Sequence, residues 1–278
     1  MPWPAWPPSI SKMRSAKEII LRPVTSREGN EFIKRVHYSG KTASNSQFHV
    51  GVFLDGSMEG CLQFGPSLDK SKIIGLVKDT KWNGFLELNR MAFTDALPKN
   101  SESRAISVSM RLLRKHKPEV EWIVSFADAT QCGDGTIYRA SGFVLTAIKK
   151  NAWLARLPSG EVIHKMTLSS NPTQPRPELG GRTFFDITGG GQGFKEYVKA
   201  AKAELLEGFQ IRYIYFQNPA ARARLAVAEL PFSEIEKQGA AMYRGQKRGD
   251  SMAVHASGHP PEDGGSNPTS PLHSQGEK

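Results

Sequence analysis

The feature that most constrains this chain is the dipeptide Asp55-Gly56, set between two apolar runs, QFHVGVFLDG and MEGCLQFG. Asp-Gly favours the left-handed conformation that a two-residue hairpin turn requires, so residues 47–65 read as two antiparallel strands. A third strand is expected at FLELNRMAF, residues 85–93. Before the hairpin, EIILRPV at 18–24 reads as a strand, and Thr25 or Ser26 caps a helix whose Phe32, Ile33 and Val36 recur at helical spacing and which ends near Gly40.

The same alternation continues beyond the third strand. NSESRAISVSMRLLRKHK reads as an amphipathic helix capped by Asn100 or Ser101, and EWIVSFAD at 121–128 as a buried strand that runs out to a polar edge at Asp128. A helical turn at GTIYRASG, a strand FVLTAIK and a hairpin turning at Pro158, Ser159 and Gly160 follow. Residues 171–193, rich in Pro and Gly, read as a long surface connection, and beyond it come a helix from Phe194 to Glu207, a strand IRYIYFQ and a helical patch at PFSEIEKQG. There is no internal repeat.

The organisation expected is therefore an extended Pro/Trp arm at 1–17, a catalytic domain at 18–168, a Pro/Gly-rich connection at 169–193, a basic extension at 194–248 and a disordered tail at 249–278. Lys and Arg number 37 against 27 acids among 278 residues, a formal charge of +10. The tail carries −3, which leaves the folded part near +13, with +9 of it before residue 161. Such a balance biases partners toward polyanions. No stretch has the apolar length of a membrane span, and the start of the chain has no signal-peptide character. Two cysteines, Cys61 and Cys132, make neither a disulfide scaffold nor a zinc motif, so a reducing, cytoplasmic setting is expected.

The order of elements resembles the GNAT acyltransferase fold, a mixed, mostly antiparallel α/β (α+β) sheet flanked by helices, here with a C-terminal extension. More specifically, HYSGK, ELNRMAF, the Ser-rich helix start, SFADA and GTIYRASGF, in this order over residues 18–168, resemble the Mom family of Mu-like phages. That resemblance implies a DNA-modifying transferase of the bacterial host cytoplasm. It would place a carbamoylmethyl, acetamido-type group on the exocyclic amine of adenine in double-stranded phage DNA and so shield it from restriction. No membrane is involved, and a homodimer is the assembly to be tested.

The chemistry needs an extruded base, a proton acceptor and a group that stabilises charge on the donor. The resemblance puts His37 and Tyr38 in the active site, with iron as a cofactor and Asp128 as third ligand or as base. The bland alternative for His37 is a helix C-terminal histidine favoured by the dipole. Alternation places Arg90 with Leu86 and Leu88 on the core side, where it needs an anion, either ligand or a structural partner in Glu87 or Asp128; Glu87 and Asn89 are weaker candidates. Tyr138 stands where a GNAT tyrosine protonates the leaving thiolate, against the alternative of a tyrosine packed on Phe143. Ser101, Ser103 and Arg104 open a helix whose free amides form an anion site for the donor. LPKNSESRA lacks the glycine loop of ordinary GNAT enzymes, which leaves the donor between acetyl-CoA and another activated two-carbon compound.

Two other readings compete: an N-acyltransferase acting on a small amine or a protein, and a non-catalytic nucleic-acid-binding protein. TGGGQG at 188–193 lacks a Walker ending and reads as a flexible loop, RLLRKHK reads equally as a solvated face or a DNA contact, and Arg222, Arg224, Arg244, Lys247 and Arg248 suggest a DNA-side appendage.

Overall fold

The computed structural model describes residues 15–189, 193–243 and 246–247. The expected disordered tail and nearly all of the N-terminal arm lie outside them, as does half of the TGGGQG run. The first half forms β1 (Ile20–Pro23), α1 (Ser26–Val36), β2 (Phe48–Leu54), β3 (Ser57–Gly65), α2 (Lys70–Ile73), β4 (Phe85–Phe93), α3 (Ser101–His116) and β5 (Trp122–Asp128). It continues through α4 (Thr136–Ala140), β6 (Val144–Arg156), β7 (Val162–His164), α5 (Lys165–Ser170), α6 (Phe184–Thr188) and α7 (Phe194–Ala200). Last come β8 (Glu204–Phe216), α8 (Pro219–Arg222), α9 (Ser233–Lys237), β9 (Met242–Tyr243) and β10 (Gln246–Lys247).

Local chemistry accounts for the placement of α1. Thr25 and Glu28 form a reciprocal capping box, and Phe32 and Ile33 bury one stripe of the helix against Cys61 and Ala92. Asp55 at φ 50° and Gly56 at φ 82° make the expected hairpin turn between β2 and β3.

Eight strands form one sheet in the order β1-β2-β3-β4-β5-β8-β6-β7. Every named pair is antiparallel except β4 with β5. This is the mixed, helix-flanked sheet expected. One face packs Leu86, Leu88 and Ile123 against Ile106, Met110 and Leu113 of α3. The other carries α1 and a cluster built on Phe85, Trp122, Val124 and Ile214.

The second half departs from expectation. The helix expected to reach Glu207 stops at Ala200, where Lys202 turns to φ 50°, and from Glu204 the chain is β8. That strand lies between β5 and β6, so the segment read as an appendage supplies a central strand of the sheet. Its alternating Ile211, Tyr213 and Ile214 region is buried among sheet neighbours, a tertiary environment that overrides the helical pattern read across residues 201–207. Residues 171–193 are likewise more than a connection. Leu179 and Phe184 bury themselves with Phe194, Tyr197 and Ala155 in a second, smaller core inserted between β6 and β8. No helix among the described residues is long and apolar enough to cross a membrane.

Gly208 on β8 is a point of close approach, because a Cβ there would run into the side chain of Thr130 in the loop after β5. Its φ is not in the left-handed region, so the constraint is space alone. Gly208→Ala is expected to destabilise the fold by about 1–3 kcal/mol; urea unfolding measures it, and a neutral result would mean that the β5 loop yields freely.

Candidate active site

The site follows from the parallel pair. β4 and β5 share only the register Phe85↔Trp122, Leu86↔Ile123 and Glu87↔Val124. Beyond Glu87 the first strand stays with β3 and the second with β8, so a wedge opens between them. Side chains from both strands, and from both faces of the sheet, can meet there.

A break in register decides which side chains do so. Gln63 pairs with Arg90 and Phe64 with Leu88, which leaves Asn89 as the extra residue of a bulge. Arg90 is thereby turned away from Leu86 and Leu88, onto the α1 face with Glu87. This corrects the simple alternation, which put Arg90 on the core side; one inserted residue reverses the facing of everything after it. Asn89 itself accepts from Ser46 Oγ (3.1 Å) and donates to the Pro66 carbonyl (3.3 Å), a structural role. The Arg90 guanidinium donates to the carbonyls of Lys41 (3.3 Å) and Asn89 (2.7 Å). Among the described residues no carboxylate lies within 4.0 Å of it, so the structural ion pair with Glu87 or Asp128 is not formed.

His37 caps the C-terminal end of α1, its amide donating to the Ile33 carbonyl at 2.9 Å. The helix-end position of the bland reading is therefore real, but the ring also sits beside Arg90. Its Nδ1 meets Ser39 Oγ at 2.8 Å and its ring lies 4.2 Å from that of Tyr38. Burial first, and Arg90 second, pull its pKa down to about 4, so no imidazolium–dipole pairing operates at neutral pH. Tyr38 is 57% exposed, yet desolvation raises its phenol above the ordinary range, with Cys132 and Asp128 adding to the shift and Arg90 opposing it. The same phenol hydrogen-bonds with the Cys132 thiol.

Asp128 ends β5 on this face, and the loop after it folds back onto its carboxylate. Thr130 N donates to Oδ1 (3.0 Å) and Gln131 Nε2 to Oδ2 (3.2 Å). The Cys132 amide donates to the Asp128 carbonyl at 2.8 Å, which sets the exposed thiol at the mouth of the wedge. Tyr138, on α4, approaches from the other face of the sheet. It is packed against Phe143 (5.3 Å) and Tyr213 (5.2 Å), and burial pushes its phenol up to about 12 while the nearby Ser125 side chain opposes the shift. It is both the packed tyrosine of the bland reading and a neighbour of the wedge, within electrostatic range of Cys132 and Glu87. Glu87 has its carboxyl raised by desolvation, with Ser67 and Arg90 pulling the other way.

Ser101, Ser103 and Arg104 lie apart from this group, at the start of α3. Asn100 precedes them at φ 69° and gives no side-chain cap, while the buried Ser101 Oγ and Arg104 Nε have no hydrogen-bond partner. Ser103 is tied to α4 through its carbonyl, which accepts from Ser141 Oγ at 3.1 Å. An uncapped helix start with unpaired donors nearby fits an anion.

Iron does not find a complete ligand set here: no group of three His, Cys, Asp or Glu able to hold a metal occurs among the described residues. The other basic candidates are placed as follows. Arg222 pairs with Glu229 (2.5 Å) and Arg224 with Glu121 (2.6 Å), while Arg111, Arg114 and Lys115 lie on the solvated side of α3, across the sheet from Asp128. The Arg244 and Arg248 side chains lie outside the described residues, as does that of Lys247.

Residues 18–234 match the model of the Mom protein family. The chain belongs to the Mom protein family. Within it, the chain is 34% identical to the methylcarbamoylase Mom of Escherichia phage Mu over 213 residues, which cover 76% of this chain and 80% of that protein. Solved acetyltransferases are more loosely similar. The ribosomal-protein-S18-alanine N-acetyltransferase of Escherichia coli shares 10% identity over 71% of this chain and 93% of its own, at a TM-score of 0.36. The spermidine/spermine N-acetyltransferase of Vibrio cholerae shares 9% over 75% and 98%, at 0.39.

In this Mom-family chain, sequence reasoning missed Cys132 as a site neighbour, having weighed it only for disulfides and zinc. It also passed over His164, at the end of β7, whose ring accepts from the Met166 amide at 2.9 Å and lies within electrostatic reach of Asp128. A histidine inside a hairpin pattern carries no signal of its own; only the β6–β7 pairing brings it there.

The His37 shift has a measurable consequence. Above pH 6.5 the ring is neutral in both folded and unfolded chains. As pH falls from 6.5 toward 4 the unfolded chain binds a proton that the folded one refuses, so stability drops across that window. Urea unfolding of His37→Asn should show a shallower loss between those pH values than the native chain; parallel curves would place the ring in water.

Proposed function

We propose that this protein is a transferase that adds a carbamoylmethyl group to the exocyclic amine of adenine in phage DNA, protecting it from restriction in the bacterial cytoplasm. Membership of the Mom family, with a methylcarbamoylase as a relative, supports the reading. The observation that carries it is the gathering of His37, Tyr38, Arg90 and Asp128 on one face of the β4–β5 wedge, with Tyr138 reaching the same opening from behind.

The roles follow from the chemistry. An exocyclic adenine amine is a weak nucleophile inside a stacked pair, so the base is turned out toward the wedge. A bond forms between its nitrogen and the donor carbon as the bond to the leaving group breaks, and the proton released by the nitrogen goes to the Asp128 carboxylate. Arg90, whose guanidinium has only carbonyl partners, faces the charge that develops on the donor. Tyr138, protonated far above neutral pH, supplies the proton to the departing group. The anionic part of an activated two-carbon donor, acetyl-CoA or another, rests at Ser101, Ser103 and Arg104.

Mass spectrometry of nucleosides from plasmid co-expressed with the protein tests this directly. The native chain should yield a carbamoylmethyl-adenine adduct, and Asp128→Asn and Tyr138→Phe should each lower its rate of formation by about 10²–10⁴-fold. Unmodified adenine from soluble native protein refutes the function; full adduct from both variants refutes the roles.

A further inference from the structure

The α1 face of the sheet is not covered along its whole length. The Phe85–Trp122 cluster reaches past Val124 and Ile214 to the edge of Phe126, and the face is progressively uncovered over the next two rows. Pairing puts Phe126, Arg212 and Ala147 in one row and Asp128, Gln210 and Lys149 in the next, all on a single face. Gln210 and Lys149 are exposed and the other four are half-buried, whereas Ala127 and Ile211, pointing the opposite way, are buried.

Arg212 is the anomaly in this patch. Its guanidinium is half-buried and donates only to Thr146, Nε to Oγ1 at 2.9 Å and one terminal nitrogen to the carbonyl at 3.2 Å. Among the described residues no carboxylate lies within 4.0 Å of it. A partly desolvated guanidinium held by neutral acceptors and lacking a counter-charge is incomplete without an anion. Thr146, the extra residue where β6 slips register, holds its planar fork in place, and Lys149 adds a second cation one row on, with Gln210 between it and Asp128.

We propose that this open strip of β5, β8 and β6 is the seat of the DNA backbone, with Arg212 and Lys149 each engaging a phosphate of the strand that presents its adenine to Asp128. The inference rests on the DNA-modification reading and adds to it the surface that holds the duplex. Planar, pre-oriented Arg212 suits bidentate phosphate contact, while the flexible Lys149 acts as a point charge.

The salt dependence of binding to a short fluorescein-labelled DNA duplex tests it. For Arg212→Gln and for Lys149→Gln, the slope of log affinity against log salt should each fall by about 1, the signature of one lost phosphate contact. Lys115→Gln, which removes the same charge from the solvated side of α3, should leave the slope unchanged. Arg212→Lys should keep the slope while weakening binding. If Arg212→Gln fails to fold by circular dichroism, Lys149→Gln on the exposed side decides alone. Native slopes in the folded Gln variants, or an equal drop in Lys115→Gln, overturn the inference even where native protein still modifies adenine. Absence of both DNA binding and adduct in the native protein overturns the DNA-modification reading, and this inference with it.

Discussion

Everything at the site depends on how short the parallel pairing of β4 and β5 is. Three register pairs hold the strands together at their base, where Phe85 stacks on Trp122 at 4.4 Å and the Trp122 indole donates to Thr80 Oγ1 at 3.0 Å. That anchor is rigid because it is fully buried and hydrogen-bonded. Above it each strand follows its antiparallel neighbour, and the sheet's own twist carries the two apart. The opening is thus a product of pairing preference. Its floor is hydrophobic core and its walls are strand ends, so the polar side chains that gather there are partly desolvated.

The electrostatics of the wedge follow one rule. Desolvation favours the neutral forms of His37, Tyr38 and Glu87, and Arg90 stands beside them as the cation. It helps to keep His37 neutral, it draws the Glu87 and Tyr38 shifts back toward their ordinary values, and its own donors are spent on carbonyls that cannot neutralise it. A guanidinium partnered only by carbonyls favours a substrate or donor that brings negative charge to it.

Much of this was legible in the sequence. The Asp55-Gly56 turn, the capped α1 and the SFAD strand ending all stand where local pattern put them, because each is decided within a few residues. His37, Tyr38 and Asp128 came with them, being fixed by the ends of those elements. What escaped was non-local. The bulge at Asn89 reverses the facing of Arg90, yet nothing in FLELNRMAF announces it, since a bulge is a property of the pairing with β3. The placement of β8 between β5 and β6 escaped for the same reason: residues 204–216 pair with strands some fifty to ninety positions earlier, across an insertion with a core of its own.

That insertion ties the two halves of the argument together. It leaves the sheet after β7, begins with α5 and returns as β8. Thr167 of α5 accepts from Lys41 Nζ at 3.4 Å, and the Lys41 carbonyl accepts from Arg90 at 3.3 Å. A two-step chain of hydrogen bonds therefore links the insertion to the one cation that dominates the wedge. Any ligand that claims the Arg90 guanidinium competes with the Lys41 carbonyl, and with it the tether that holds α5 near the loop after α1.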